Sequence, residues 1–142
     1  MPHLRLYLPE EWLDDDFKNS TGFDAKKLLD HLVQVVADLR MENAEVRMIN
    51  LNNLKHAIVP LHHAHVAGDP SQRFLHVTLA AGNDTPGRTA AVRKKAAEIL
   101  GNEIDKFAGD LPSLASVTVH VQDIDRDRGY STSAERKRAR RA

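Results

Sequence analysis

The stretch DAKKLLDHLVQVVADL, residues 24–39, decides the first half of the fold. Its apolar residues Leu28, Leu29, Leu32, Val35, Val36 and Leu39 recur at i, i+1, i+4, i+7, i+8 and i+11, which is one face of an amphipathic helix. Asp24 stands where an N-cap carboxylate accepts from the first free backbone N–H groups. Toward the N-terminus, residues 3–8 set Leu4, Leu6 and Leu8 against His3, Arg5 and Tyr7, the period-two pattern of a half-buried strand, and Pro9 ends it. Toward the C-terminus, residues 45–51 are predicted as the second strand, with Val46, Met48 and Asn50 opposite Glu45, Arg47 and Ile49 in an imperfect alternation. The three elements together make one βαβ unit.

A second unit follows. Residues 52–72 mix a short apolar run with histidines and end in the turn-forming Gly68, Asp69 and Pro70, so they are read as a connecting hairpin or excursion. Residues 74–80 alternate Leu75, Val77 and Leu79 against Phe74, His76 and Thr78. The turn residues 82–87 then break the strand, with Thr85 as predicted N-cap and Pro86 at the first position of a helix over 86–107. That helix presents Val92, Ala96, Ile99, Leu100 and Phe107 on one side, and residues 116–121 close the pattern by alternating Val117, Val119 and Val121 with Ser116, Thr118 and His120. The string predicts an α+β domain of two βαβ units forming a mixed sheet with two helices packed on one face, an arrangement whose element order a ferredoxin-like sheet also shares.

Composition narrows the function. The 142 residues are 42% hydrophobic and 28% charged, with 20 Lys+Arg, 20 Asp+Glu, eight His and no Cys. Without cysteine there is no disulfide framework, no thiolate nucleophile and no Cys-ligated zinc or iron–sulfur site. No apolar run approaches the roughly 20 residues of a spanning helix, and the N-terminal residues lack the basic-then-apolar order of a secretory signal, so the sequence is read as cytoplasmic and without membrane contact. Residues 126–142 carry seven basic and two acidic side chains, a charge of +5, which leaves −5 for residues 1–125. We therefore expect a domain over 1–124 and a basic, mobile tail over 125–142 without apolar periodicity.

Pro2 is the unusual position. Removal of an initiator methionine before so small a residue would leave it with a free secondary amine, and a secondary amine can act as a base once an apolar pocket and nearby cations favour its neutral form. Arg47 and Arg88 carry permanent charge on a planar fork that suits carboxylates and developing enolate oxygens.

Four segments carry a resemblance: MPHL at 1–4, VRM at 46–48, FLHVTLAAG at 74–82 and GRTAAVR at 87–93. They resemble the 5-carboxymethyl-2-hydroxymuconate isomerase family of the tautomerase superfamily, in which a Pro-His start opens the first strand and a Gly-Arg motif begins the second helix. The resemblance implies a homotrimer of two-βαβ subunits that uses no metal or organic cofactor. It implies an isomerase interconverting enol and keto forms, or shifting a double bond, in a small unsaturated dicarboxylate or tricarboxylate. By position, Pro2 resembles the general base, Arg47 the strand-two arginine and Arg88 the arginine of the Gly-Arg motif, the last two binding substrate. Arg93, further along the helix, is the alternative pocket-facing arginine, since the link from Gly82 to Arg88 is longer than in the family.

Other residues have plainer readings. His3 and His76 read as packed or interface histidines. His62, His63 and His65 suggest a metal but lack an accompanying carboxylate pattern. Asp14, Asp15 and Asp16 read as a solvated turn that can cap a short helix. The tail arginines would suit phosphates, and a non-catalytic tautomerase-fold or ferredoxin-like module touching nucleic acid is the alternative function. Only 5% of the chain is aromatic and its strands hold no stacking motif, which points away from nucleic acid.

Overall fold

The computed structural model describes residues 2–64, 66–82, 87–124 and 133–141, without the side chains of 133–135. Four strands, β1 (His3–Pro9), β2 (Lys55–Leu61), β3 (Arg73–Gly82) and β4 (Leu114–Ile124), form one sheet in the order β2-β1-β3-β4. β1 runs parallel to β2 and antiparallel to β3, and β3 runs parallel to β4. Each parallel pair is closed by a helix, α2 (Ala25–Asp38) in the first unit and α3 (Ala90–Ala108) in the second. A short α1 (Asp15–Thr21) precedes α2, and α4 (Ser133–Arg141) lies beyond β4.

The predicted alternation of β1 and β3 is what faces the helices. Leu4, Leu6 and Leu8 of β1 and Leu75, Val77 and Leu79 of β3 are fully buried against Leu28, Leu32 and Val36 of α2 and Ala96, Leu100 and Ile104 of α3. Asp24 caps α2 as expected, its carboxylate accepting from the Lys26 and Lys27 N–H groups at 3.1 and 3.3 Å. Asp14 takes the N-cap position of α1, with Asp15 and Asp16 in its first turn, where carboxylates favour the positive end of the helix dipole. Trp12, Phe17 and Phe23 pack into an aromatic cluster beside this turn, Trp12 and Phe17 stacked at 5.3 Å.

Two predicted boundaries are corrected. Residues 45–51 are not a strand: Met48 and Ile49 are both buried, which a period-two segment on one sheet face cannot do, and residues 39–48 form a loop joined by the Arg40–Arg47 bridge. The Asn50 side chain accepts from Asn52 N–H at 3.1 Å and turns the chain into β2, so the second strand lies inside the segment read as an excursion. α3 starts at Ala90 with Thr89 as its cap, because Gly87 at φ 90° cannot belong to a right-handed helix. The predicted cap Thr85 and Pro86 fall outside the described residues. In the tail, Ser133–Arg141 is helical and residues 136–141 are exposed.

The face of the sheet turned away from the helices is open. Its side chains stand in three cross-strand rows: Lys55, His3, Ala80 and Gln122; Ala57, Arg5, Thr78 and His120; Val59, Tyr7, His76 and Thr118. None of the twelve is a carboxylate. We expect Leu100→Ala, which empties a fully buried site between α3 and the sheet, to cost about 2–5 kcal/mol of unfolding free energy in urea titration. An exposed control, Lys94→Ala, should change it by less than about 0.5 kcal/mol.

Candidate functional site

Pro2 sits immediately before β1, half-buried, and its carbonyl accepts from Lys55 N–H at 3.0 Å. The pairing of His3 with Ala80 sets Pro2 beside Ala81, and the alternation that sends Leu4 to the helices sends Pro2 to the same side. Gly82, the next residue of β3, accepts at 2.7 Å from Arg88 Nη1, so the guanidinium is anchored at the end of the sheet where Pro2 lies. Antiparallel pairing therefore joins the first motif of the sequence to the Gly-Arg motif more than eighty positions later.

Arg93 is committed elsewhere. Its Nη1 donates to the Arg88 carbonyl at 2.8 Å and to Asp123 Oδ2 at 2.7 Å, which ties the first turns of α3 to the end of β4. Of the two arginines the sequence left open, Arg93 closes an ion pair on the helix side of the sheet and Arg88 reaches the β3 end. Asp123 was missed by sequence reading because the strand read over 116–121 stops short of it; continuing the alternation of Val117, Val119 and Val121 by two residues points it to the helices.

Arg47 is exposed and lies in the loop after α2 rather than in a strand. It lines a shallow hollow of about 270 Å³ with Ile49, Asn50, Leu51 and Asn52, the segment that leads to Lys55 and its bond to Pro2. A larger groove of about 470 Å³ opens between the end of α2 and the first half of α3, floored by Leu39, Met41, Val92 and Ala96 with Arg40 and Lys95 at its rim. Neither Pro2 nor Arg88 lines either of them.

The histidines divide by place. His62 meets the Glu10 carboxylate at 2.5 Å on the surface, and His65 lies outside the described residues. Among the described residues no three His, Asp or Glu side chains are grouped to hold a metal. His76 lies on the open face, hydrogen-bonded to Thr118 Oγ1 and 5.7 Å from the Tyr7 ring. Burial, then the neighbouring His120, lowers its pKa below the ordinary 6.5, with the Thr118 bond acting the other way. His3 is lowered by burial and then by Arg5 and Lys55.

No protein-family model and no curated protein sequence matches the chain. Solved structures do match in fold. A 5-carboxymethyl-2-hydroxymuconate delta-isomerase superposes with a TM-score of 0.67 at 15% identity, over 100% of this chain and 93% of that one. A 5-carboxymethyl-2-hydroxymuconate isomerase from Deinococcus radiodurans R1 gives 0.63 at 18% identity, over 97% and 93%. A fused 4-OT described as a wild-type symmetric trimer gives 0.51 at 15% identity, over 94% and 98%.

Both lowered histidines bind a proton more readily in the unfolded chain than in the folded one. Stability is therefore held above about pH 6.5 and falls as the pH drops toward the lowered values. The urea midpoint should decline between pH 7.5 and pH 5.5, and less steeply in His76→Gln; an equal slope in the variant would remove His76 from the account. Over the described residues the chain has the fold of the 5-carboxymethyl-2-hydroxymuconate isomerases and related tautomerases.

Proposed function

We propose that this chain is a cofactor-free tautomerase acting on a small unsaturated dicarboxylate or tricarboxylate, with Pro2 as general base. The observation that carries the reading is that the β1–β3 register of an isomerase-type sheet brings Pro2 to the end of β3, where the Gly82 carbonyl holds Arg88. With Met1 removed, the neutral Pro2 nitrogen takes the enol proton, the electron pairs shift along the conjugated chain, and the same proton returns to a distal carbon. Arg88 binds a substrate carboxylate or the oxygen on which negative charge develops, and Arg47, on the loop at the same end, holds the second carboxylate. No redox partner or activated water enters this balance.

A homotrimer accompanies the proposal. The open sheet face and a Pro2 site that is only half-buried both suit a fold whose neighbours include a symmetric trimer, in which other copies cover what one chain leaves exposed. Residues 1–124 then form the catalytic body, and the basic tail is an addition to it. The reading also places the protein in the cytoplasm and among enzymes acting on the ring-cleaved products of aromatic acids.

The test is the ketonisation of 2-hydroxymuconate followed by ultraviolet absorbance, using protein whose Met1 removal has been confirmed by mass. Pro2→Ala should lower kcat/KM by about 10²–10⁴-fold with unchanged sedimentation. Arg88→Ala and Arg47→Ala should each cost about 10–100-fold, the loss of one charged hydrogen bond, mainly through KM. Unchanged rates in all three variants would dismiss the site.

A further inference from the structure

The open face of the sheet has a composition that folding alone does not explain. Its three rows contain Arg5, Lys55, His3, His76 and His120, and no carboxylate. Among the described residues, Arg5 and Lys55 form no ion pair with any acid, although the body of the chain carries net negative charge. The acids sit elsewhere: Glu10 and Glu11 pair with His62 and Arg73, Glu103 with His31 and Lys106, and Asp123 with Arg93 on the helix side. Arg5 and Lys55 put two like charges in adjacent rows of one sheet face, and enclosing them without a counterion is costly.

The middle row has the geometry of a receptor. Arg5, Thr78 and His120 are cross-strand neighbours, so the arginine and the histidine flank a short hydroxyl side chain at roughly 10 Å between their backbones. That spacing lets a guanidinium fork and an imidazole lean over the threonine onto one tetrahedral or planar oxyanion, with the hydroxyl donating from beneath. His3 and Lys55 stand in the adjacent row on one side and His76 in the adjacent row on the other. The charged and titratable groups facing this row are thus Arg5, His3 and Tyr7 from β1, Lys55 from β2, His76 from β3 and His120 from β4.

We propose that the open face is an anion-binding surface on which Arg5 and His120 hold a polyvalent oxyanion, of the phosphate or polycarboxylate class, over the Thr78 hydroxyl. Where three copies turn this face inward, the anion becomes the counterion that lets their Arg5 and Lys55 charges approach; this second half rests on the trimeric reading above. The site is separate from the Pro2 end, because Arg5 and Thr78 point to the opposite side of the sheet from Pro2 and Leu4.

Inorganic phosphate is the probe. Calorimetric titration at pH 6.5, with ionic strength held constant by sodium chloride, should show saturable uptake with a midpoint on the order of 1 mM. Arg5→Gln should weaken it at least tenfold and His120→Gln severalfold, while Lys94→Gln, on the exposed face of α3, should leave it unchanged. Circular dichroism checks that each variant is folded, and the two face variants give independent readings should one fail. Sedimentation velocity on the same samples separates the two halves. A trimer that takes up no phosphate overturns the anion site and leaves the trimer. A monomer that binds phosphate through Arg5 overturns the trimer and leaves the site. Equal losses in Lys94→Gln and Arg5→Gln would reduce the effect to general charge and overturn the proposal. An Arg5-dependent preference for a short single-stranded oligonucleotide over phosphate would overturn it in favour of a nucleic-acid surface.

Discussion

The antiparallel pairing of β1 with β3 is the constraint on which the rest of the molecule depends. It is the one seam between the two βαβ units in the sheet, and it puts the leucines of both central strands under both helices at once. Shifting that register by one residue would turn Leu4, Leu6 and Leu8 to the open face and Arg5 and Tyr7 into the core. The same shift would separate the start of β1 from the end of β3. Core packing and the assembly of the Pro2 end are therefore fixed by one set of hydrogen bonds.

Charge is distributed around that seam by side. On the helix side, polar groups near the sheet are closed into pairs, as with Arg93 and Asp123, and no polar side chain among the described residues is fully buried. On the open side, cations and imidazoles accumulate without acids. The sheet folds through its hydrocarbon face and leaves the basic face outside that core.

The sequence made these sides legible where the pattern was periodic. The helix over 24–39 appears as Ala25–Asp38 with its Asp24 cap, and the alternations of β1, β3 and β4 lie where they were read. β2 was hidden because it is an edge strand: Lys55, His56 and Ala57 are exposed and Pro60 lies within it, so burial imposes little alternation on it. Residues 45–51 misled for the complementary reason, since Met48 and Ile49 are apolar to plug the core beneath a loop. Pro2 stood out as a proline following the initiator methionine and Arg88 through motif resemblance, and their place at one end of the sheet follows from a strand pairing that no local pattern encodes. The Arg93–Asp123 pair depends likewise on a contact across thirty residues.

The order β2-β1-β3-β4 relates the two units by an approximate two-fold axis through the central seam, so β1, α2 and β2 correspond to β3, α3 and β4. The counterpart of the start of β1 is the start of β3. There the nitrogen belongs to Arg73, inside the chain, and its lone pair is delocalised into a peptide bond and has no useful basicity. Of the two corresponding sheet ends, only that of Pro2, with Met1 removed as proposed, would present an amine. The start of β3 is instead tied into the scaffold: Arg73 Nε donates to Glu11 at 2.7 Å, and its backbone N–H bonds the Ser113 carbonyl at 2.7 Å. Under the proposed reading, a duplicated architecture carries a single-copy function, and the asymmetry comes from where the chain runs through the repeat.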